Sequence, residues 1–359
     1  MSAKGRTPLR DLVAERIALI KPSALGDIVH SLPVLSALRQ RYPNAHIAWI
    51  VNRSYAELLH GHPDLDAVLA FDRGAAKSGL LTALTDYGRF FASFRQQRFD
   101  LVIDLQGLLR SGLMAACSGA GRHVGLSSAR EGARAFYTDV IAVADFQAIH
   151  AVDRYWLVAE AFGVGSLPKS FRVPLPEEAG RWAAALLRDC PRPWIALAVG
   201  ARWQTKRWPP QHFAALARRA QDYAGGTVLF VGGQDETPLA RIAAQCLTDQ
   251  TRDLTGRTTL PQLAALLASV DVMIANDTGP LHLAAALGRP VVAPYTCTKV
   301  LLNGPYGTAG GAVESRVWCQ GSYLKRCGRL ECMAELTPDR LWPVLEGILR
   351  TWKSGSLSA

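Results

Sequence analysis

The sequence lacks the marks of several large classes of protein. No stretch approaches 18 consecutive apolar residues, so no helix that crosses a bilayer is predicted. Lysine and arginine are scattered without a run of five, and no nucleic-acid recognition motif is present, so we expect no nucleic-acid partner. Residues 1–15 lack the apolar core of a signal peptide, which predicts a cytoplasmic protein whose seven cysteines are reduced.

Four familiar catalytic signatures are also missing. The chain has no Walker A loop, no Gly-x-Gly-x-x-Gly turn after a strand, no His-Glu-x-x-His pair and no Gly-x-Ser-x-Gly elbow. These absences disfavour P-loop nucleotidases, dinucleotide-dependent enzymes, zinc peptidases and α/β-hydrolases. The acid pair Asp64 and Asp66 is better explained as turn chemistry than as a metal-binding motif. We therefore expect neither a catalytic metal nor another cofactor.

The sequence does contain a regular alternation of apolar strands and helical patterns. The predicted strands span residues 17–21, 46–51, 67–71, 100–104, 194–199, 227–231, 271–275 and 290–294. Helical periodicity between them, as at residues 28–41, predicts parallel sheets built from βαβ units. The expected fold class is therefore α/β.

The length of 359 residues predicts two domains, because a single core stops growing near ~250–300 residues. Two prolines followed by acids, at residues 174–178, predict the boundary between them. We assign residues 1–175 to an N-terminal domain, 176–335 to a C-terminal domain, and 336–359 to a terminal helix and tail. Ligands of parallel sheets bind beyond the carboxyl ends of the strands, which is where the motifs below fall.

The loop after the first strand ends in Gly26 and Asp27, at the start of a helix. Glycine lets the backbone approach a ligand closely, and the N-terminus of a helix favours an anion. Asp27 is a candidate general base, and a helix N-cap is the structural alternative. A helix N-terminus lowers the pKa of a carboxylate and weakens it as a base, whereas burial beside Leu25 would offset that effect.

Two motifs of the second half also follow strands. Lys206 lies beyond residues 194–199 and is suited to a phosphate, with a solvated charge as the alternative. Glu236 lies in an acidic turn beyond residues 227–231, where acids can bind ribose or sugar hydroxyls. A simple turn with a helix cap explains that segment equally well.

A third motif of the second half follows the strand at residues 271–275. Asp277, Thr278 and Gly279 stand at a predicted helix start, whose N–H groups are suited to a diphosphate. Asp277 could instead accept hydrogen bonds from sugar hydroxyls. His282 falls on the same side of the first turn, where a lone histidine is more often structural. The net charge of +10 agrees with an anionic ligand but does not select one.

These motifs, in this order, resemble glycosyltransferase family 9, the lipopolysaccharide heptosyltransferases, and most closely its heptosyltransferase I branch. The segments and residues that carry the resemblance are 23–33, 99–108, 206–209, 277–279, Arg130, Glu131, Tyr137, His150 and His282. The resemblance implies a GT-B fold, with two Rossmann-like domains whose parallel sheets face each other across a cleft. It also implies that the terminal helix packs back on the N-terminal domain.

The resemblance implies an inverting, metal-independent reaction. L-glycero-D-manno-heptose would pass from ADP-heptose, bound mainly by the C-terminal domain, to a 3-deoxy-manno-octulosonate (Kdo) residue of the lipopolysaccharide inner core. The acceptor, a Kdo–lipid A, would bind the N-terminal domain, which places the enzyme in the cytoplasm, peripheral to the inner membrane. The oligomeric state is not implied.

The resemblance also gives roles to single residues. Asp27 carries over as the general base that takes the proton of the acceptor hydroxyl, and Lys206 as the cation that stabilises the departing ADP. The other donor contacts carry over to Gly26, Glu236, Asp277, Thr278, Gly279 and His282, and the acceptor contacts to Ser23 and Arg130. The chain departs from the family at Ala201 and Arg202, where hydroxyl residues often precede the lysine; Arg202 can substitute for them.

Many members of the family carry four cysteines near the C-terminus. Cys319, Cys327 and Cys332 match three of them, Ser322 takes the remaining place, and Cys297 could supply a fourth thiolate. Four thiolates would suit zinc or iron. Because the spacing is irregular, we favour reduced thiols over a metal site.

Two other functions stay open at the level of sequence. A transferase of the same fold that uses another nucleotide sugar or a protein acceptor would share the diphosphate motifs. A non-catalytic nucleotide-sugar-binding protein would make Asp27 dispensable. A panel of donors with mass analysis of the products separates these alternatives.

Overall fold

The computed structural model describes residues 6–72 and 80–355, which form two units. The first unit ends at Pro174 and the second begins at Leu175, beside the prolines on which the sequence boundary was placed. Each unit contains one six-stranded sheet whose paired strands are all parallel. The predicted α/β class with Rossmann-like parallel sheets is confirmed.

The N-terminal unit alternates strands and helices along the chain. Its strands are β1 (Arg16–Ile20), β2 (His46–Asn52), β3 (Ala67–Phe71), β4 (Leu101–Asp104), β5 (Arg122–Leu126) and β6 (Asp139–Ile141). Its helices are α1 (Leu25–Arg41), α2 (Arg53–Ala56), α3 (Leu80–Gln96), α4 (Leu109–Cys117) and α5 (Ala151–Ala161).

The sheet of this unit is covered by helices on both faces. Ile17 and Leu19 of β1 pack with apolar residues of α1 and α5, whereas Ala18 and Ile20 pack with those of α3 and α4. Strands buried on both faces are apolar throughout rather than alternating, as the sequence of β1 shows. The strand order is β3-β2-β1-β4-β5-β6, so the order reverses between β1 and β4. Parallel sheets bind ligands beyond the strand ends at such a reversal.

The C-terminal unit repeats this plan. Its strands are β7 (Trp194–Ala198), β8 (Thr227–Phe230), β9 (Thr251–Asp253), β10 (Val272–Ala275), β11 (Val291–Tyr295) and β12 (Ala312–Glu314). Its helices are α6 (Glu177–Leu187), α7 (Pro210–Ala224), α8 (Thr237–Ala244), α9 (Leu260–Ser269), α10 (Gly279–Ala286), α11 (Val300–Asn303), α12 (Glu331–Glu335) and α13 (Pro338–Lys353).

The two sheets have the same topology. Written from its other edge, the C-terminal sheet has the order β9-β8-β7-β10-β11-β12, which matches the N-terminal order strand for strand. The order therefore reverses between β7 and β10. Ile195 and Leu197 of β7 pack in a core with α7, α8 and α13, while α6 packs against α9 through Ala179, Ala183 and Ala265.

The terminal helix α13 buries its apolar face in the C-terminal unit. Leu341, Leu345 and Leu349 belong to the core that covers β7, and the Trp342 ring lies 5.7 Å from the Tyr223 ring of α7. α7 and the sheet beneath it cover that face, and the expected packing of this helix on the N-terminal domain stays a prediction.

Four short strands, β5, β6, β9 and β12, were not predicted from sequence. β6, β9 and β12 have only three residues each, none of them buried, so no apolar run marks them. β12 follows Gly311, at which a side chain would collide with the carbonyl oxygen of Val291 on the neighbouring strand. The absence of a side chain at Gly311 lets the chain before β12 pass close to β11.

Candidate active site

A buried lysine extends the end of strand β1. The Nζ atom of Lys21 donates to the hydroxyl oxygen of Tyr155 at 2.8 Å and to the carbonyl oxygen of Leu105 at 3.2 Å, and lies 3.7 Å from Oδ1 of Asp27. Only 2% of the Lys21 side chain is exposed. A buried ammonium requires such partners, so the end of β1 fixes the positions of Tyr155 and Asp27 around one charge.

The carboxylate of Asp27 remains within reach of solvent. Asp27 is the third residue of α1, and its Oδ2 accepts the N–H of Ala24 at 3.2 Å, while its Oδ1 accepts the hydroxyl proton of Tyr155 at 3.1 Å. The side chain is 40% exposed. The N-cap position belongs to Ala24, so the sequence alternative of Asp27 as the N-cap is wrong. The carboxylate does satisfy one N–H of the helix start.

The surroundings hold this ion pair in its charged form. Burial would raise the pKa of Asp27, but the charge of Lys21, with the hydrogen bonds from Ala24 and Tyr155, brings that pKa below its ordinary value. Burial would lower the pKa of Lys21, but the charge of Asp27 and the contact with Tyr155 raise it. Asp27 is therefore ionised at neutral pH, as a proton acceptor must be.

Asp27 lines a cavity of about 120 Å³ within the N-terminal unit. Two guanidinium groups, those of Arg130 and Arg154, line the same cavity. Arg154 lies 4.5 Å from the ring of Phe146, which supports its position. Arg130 is exposed and is fixed through its backbone N–H, which donates to Gly107. Cations beside a base suit an acceptor that carries its own negative charge.

The remaining predicted residues of this unit, Ser23 and Gly26, lie in the chain segment just before Asp27. Ser23 is half-buried in the loop between β1 and α1, and Gly26 lies in the first turn of α1. Asp104, at the end of β4, is buried and accepts the N–H groups of Gln106 and Gly107 and the hydroxyl proton of Tyr137. Burial raises the pKa of Asp104. Because its carboxylate is hydrogen-bonded to these three protein groups, Asp104 holds the wall of the cavity in place.

The C-terminal unit has a second lysine–aspartate pair at its own strand reversal. Lys206 follows β7 and Asp277 follows β10, and Nζ of Lys206 lies 2.6 Å from Oδ2 of Asp277. Thr298 donates to the same oxygen at 2.7 Å, and Nε2 of His282 lies 3.2 Å from Oδ1. Because a carboxylate only accepts, His282 carries its proton on Nε2 in this contact.

In this second pair the aspartate is the buried member, whereas in the first pair the lysine is buried. Asp277 is 5% exposed and Lys206 is 18% exposed. Burial would raise the pKa of Asp277, but the hydrogen bond from His282 and the charge of Lys206 hold it far below its ordinary value. Both carboxylate oxygens of Asp277 are occupied by protein groups. Asp277 therefore positions Lys206 and His282, and Lys206 is the more exposed member of the ion pair.

The other predicted donor residues surround the same strand ends. Thr278 is the N-cap of α10 and Gly279 its first residue, so the N–H groups of this helix start lie next to the Lys206–Asp277 pair. Glu236 accepts the N–H of Gly233 at 3.1 Å, and its carboxylate lies directly against Gly200, which follows β7. Burial raises the pKa of Glu236. An acid, a lysine and a helix N-terminus are thus placed around one reversal point.

The cysteines of the C-terminal region are neighbours. Burial, with the proximity of Cys319 and Cys297, raises the pKa of the Cys332 thiol to about 11. Backbone N–H groups lower the pKa of Cys327. Among residues 6–72 and 80–355 no group of three or more histidine, cysteine or acidic residues has an arrangement that could hold a metal ion.

The acid pair at the end of the loop before β3 has structural partners. Asp64 accepts from Ser36 at 2.7 Å and from Arg172 at 3.0 Å, and Asp66 accepts from the N–H of Ile47 at 2.7 Å. These contacts agree with turn chemistry rather than with a metal-binding motif.

Sequence reasoning missed three residues of the N-terminal site: Lys21, Tyr155 and Arg154. Lys21 does carry a signal, since it is the one charged residue that directly follows the apolar run of β1. Tyr155 and Arg154 lie on α5, and Tyr155 contacts Asp27 across 128 positions of sequence. No local pattern marks such a contact.

The comparisons with known proteins agree with this arrangement. A model of glycosyltransferase family 9 (heptosyltransferase) matches residues 87–332. Lipopolysaccharide heptosyltransferase 1 of Pseudomonas aeruginosa is 31% identical, over 93% of this chain and 98% of that protein. The solved structure of Escherichia coli ADP-heptose heptosyltransferase II has a TM-score of 0.76 at 25% identity, covering 94% of this chain and 99% of the other.

The chain belongs to glycosyltransferase family 9. It is therefore an enzyme, a glycosyltransferase of the heptosyltransferase type, and the family resemblance read from its motifs is confirmed. A second solved relative, an Escherichia coli heptosyltransferase with ADP, has a TM-score of 0.71 at 25% identity and covers 93% of this chain and 99% of its own.

Proposed function

We propose that this family 9 enzyme transfers L-glycero-D-manno-heptose from ADP-heptose to a Kdo residue of the lipopolysaccharide inner core. The observation that carries the proposal is the pair of strand reversals, one with an accessible, ionised carboxylate and the other with an accessible ammonium. A displacement at a sugar carbon needs both: a base for the attacking hydroxyl and a cation for the leaving phosphate.

The donor half of the proposal rests on Lys206, Thr278, Gly279 and Glu236. The ammonium of Lys206 and the N–H groups at the start of α10 are suited to the diphosphate of ADP-heptose. Glu236, beyond β8, is suited to hydroxyls of the ribose or the heptose. Two relatives support this donor. The structure of one Escherichia coli heptosyltransferase was solved with ADP, and the name of another includes ADP-heptose.

The acceptor half rests on Asp27 and the cavity around it. Kdo is an acidic sugar, and the guanidinium groups of Arg130 and Arg154 in that cavity are suited to its carboxylate. Ser23 lies in the preceding loop and is assigned to the same acceptor.

The proposed reaction is one inverting displacement. The acceptor hydroxyl oxygen attacks the anomeric carbon of the heptose as its proton passes to Asp27. The bond between that carbon and the β-phosphate oxygen breaks, and ADP departs with the electron pair. Lys206 and the start of α10 stabilise the charge that develops on the departing phosphate, a task performed by a divalent metal in other transferases. We therefore propose that no added metal is required.

The lipid-linked acceptor sets the place of the enzyme. Within the described residues, no helix is both long and apolar enough to cross a bilayer. We propose a peripheral enzyme on the cytoplasmic face of the inner membrane, where a water-soluble nucleotide sugar meets a lipid-anchored acceptor.

A donor and acceptor panel tests the proposal. The enzyme is incubated with ADP-, GDP- and UDP-sugars, with Kdo–lipid A or a control acceptor that lacks Kdo, with and without a chelator. We expect product mass to increase by one heptose only with ADP-heptose and the Kdo acceptor, with inverted configuration by NMR and no loss of rate with chelator. Transfer from another nucleotide sugar alone contradicts the donor assignment. Tight ADP binding without turnover on any pair would show a binding protein.

A further inference from the structure

The segment that joins β12 to α12 displays apolar and basic side chains to solvent. Trp318 is 83% exposed and Leu324 is 54% exposed, and Leu301 on the neighbouring α11 is 60% exposed. Residues 315–330 contain four basic residues and no acidic one. Exposed tryptophan and leucine next to lysine and arginine are typical of surfaces that lie on a membrane.

Hydrogen bonds join this segment to α11 and to the residues just before that helix. The side-chain amide of Gln320 donates to the carbonyl oxygen of Thr298 at 3.1 Å, and the N–H of Tyr323 donates to that of Cys297 at 2.9 Å. The hydroxyl of Tyr323 donates to Oδ1 of Asn303, at the end of α11, at 2.7 Å. The apolar tips of Trp318, Leu324 and Leu301 therefore project from chain segments that are tied together. We call these three residues, with Lys325 and Arg326, the basic–aromatic surface.

A cationic cavity of about 430 Å³ adjoins the basic–aromatic surface. Its lining consists of Arg202, Trp203, Gln204, Arg207, Lys325 and Arg326. Four of these six side chains are cationic and none is acidic. The hydroxyl of Thr205 donates to the carbonyl oxygen of Leu324 at 2.5 Å, which joins the two loops that form the cavity.

Three of the four cationic side chains of this cavity lack a salt bridge among the described residues, whereas Arg207 lies near the charge of Glu236. Nζ of Lys325 lies 5.6 Å from the centre of the Trp203 ring, and Nζ of Lys206 lies 4.7 Å from the same ring. Within the described ranges of the chain, the salt bridges include none to Arg202, Lys325 or Arg326. Like charges held close together repel, so the cavity favours an anionic occupant such as a phosphate group.

We propose that the basic–aromatic surface docks on an anionic phospholipid membrane. Trp318, Leu324 and Leu301 enter the headgroup region, while Lys325 and Arg326, at the edge of the cavity, bind lipid phosphate groups. A tryptophan beside cations also suits the bases of a nucleic acid. The exposed Leu301 and Leu324 favour a lipid surface over a nucleic acid or a soluble polyphosphate, for which aliphatic side chains give no benefit. The inference extends the peripheral location in the proposed function, but membrane binding does not require that the enzyme turn over.

The test measures sedimentation of the full-length protein with vesicles. Vesicles of phosphatidylcholine alone are compared with vesicles that also contain phosphatidylglycerol, at low and high salt. We expect binding to the anionic vesicles only, weakened by salt. The variant Lys325→Gln/Arg326→Gln should weaken this binding about 25-fold, at about fivefold per charge, and Trp318→Ser about tenfold.

Matched controls use exposed residues elsewhere. Arg252→Gln removes an exposed charge and Val13→Ser an exposed apolar side chain, 82% exposed, and neither should change vesicle binding. Absence of binding to anionic vesicles overturns the proposal. So does binding that the surface variants leave unchanged, or binding that millimolar inorganic phosphate abolishes, since the cavity would then take free phosphate alone.

A second readout separates this inference from the proposed function. With a water-soluble, deacylated Kdo acceptor the surface variants should keep the wild-type rate, whereas with acceptor embedded in anionic vesicles their rate should fall. Equal rates on both acceptors contradict membrane docking. Failure of the wild type on every donor and acceptor, with vesicle binding retained, contradicts only the proposed function.

Discussion

The two units of this protein contain the same kind of ion pair at the same point of the same topology, with opposite exposure. In the N-terminal unit the lysine is buried and the carboxylate is accessible: Lys21 is 2% exposed and Asp27 is 40% exposed. In the C-terminal unit the aspartate is buried and the ammonium is the more accessible, with Asp277 at 5% and Lys206 at 18%. One scaffold thus exposes a carboxylate in one unit and an ammonium in the other.

The difference teaches that the buried member of each pair sets the chemistry of the accessible one. Lys21 keeps Asp27 ionised by lowering its pKa. Asp277 accepts a hydrogen bond from the ammonium of Lys206 and so fixes its position. His282 and Thr298 also donate to the carboxylate oxygens of Asp277. Buried groups of this kind position their partners, and their removal leaves a charge without a partner.

The largest effect is expected when the accessible carboxylate is neutralised. Asp27→Asn should lower kcat by about 10²–10⁴-fold, the range for loss of a general base. Its affinity for ADP, measured by calorimetry, should not change, because the residues proposed to bind the diphosphate, Lys206, Thr278 and Gly279, lie in the other unit. Glu57→Gln, an exposed carboxylate outside the site, is the control. Wild-type kcat in a folded Asp27→Asn enzyme would remove Asp27 from the mechanism.

The corresponding experiment in the C-terminal unit removes the charge of the more exposed residue of its ion pair, Lys206. Lys206→Met should lower kcat by about 10²–10³-fold and should also weaken ADP binding, which Asp27→Asn leaves intact. Lys206→Arg should restore little, because a planar guanidinium does not fit the position of a single ammonium. Arg241→Met, on the exposed side of α8, is the control. Unchanged ADP affinity in Lys206→Met would contradict the assignment of the diphosphate site.

Removal of the buried lysine should change pH dependence rather than maximal rate. In the wild type the pKa of Asp27 lies below its ordinary value of 3.8, so the base stays ionised until the solution is strongly acidic. In Lys21→Met the burial that raises this pKa remains and the opposing charge is gone. The acid limb of kcat/KM should therefore move upward by about one to three pH units.

The matched variant for this experiment is Lys21→Arg, which keeps the positive charge and should keep most of the wild-type profile. The measurement is kcat/KM between pH 4 and 9, with melting temperature as a check on folding. Superimposable acid limbs in the wild type and Lys21→Met would show that Lys21 does not control the base.

The smallest effect is expected at Tyr155, which joins the two members of the N-terminal pair. Tyr155→Phe removes a hydroxyl that donates to Asp27 at 3.1 Å and accepts from Lys21 at 2.8 Å. We expect kcat to fall about 3–10-fold, the usual worth of one hydrogen bond, with ADP affinity unchanged. Tyr223→Phe in the C-terminal unit is the control. A loss as large as that of Asp27→Asn would mean that the tyrosine itself transfers the proton.

Much of this organisation could be predicted from local sequence. Apolar runs identified β1 and β7, and the segments that follow strands included Asp27, Lys206 and Asp277. Such signals are reliable because a strand buried on both faces must be apolar, and polar residues can begin only where the strand ends. The division near residue 175 followed from two prolines in the same way.

The edges of the sheets could not be predicted, and neither could the packing of α13. β6, β9 and β12 are three residues long and have no buried residue, so their pairing is decided by the strands beside them. The apolar face of α13 indicates that the helix is packed, but not against which unit. That choice depends on α7, more than a hundred residues earlier in the chain.

The sequence by itself determined the central strands of both sheets, the positions of Asp27, Lys206 and Asp277 beyond those strands, and the family of the protein. Only the tertiary structure decided which member of each pair is buried. The reason is that the exposure of Asp27 depends on Lys21 and on Tyr155, 128 positions away, and that of Asp277 on His282 and Thr298. Local sequence fixes secondary structure, whereas the burial of a single charge is set by elements that meet only when the chain has folded.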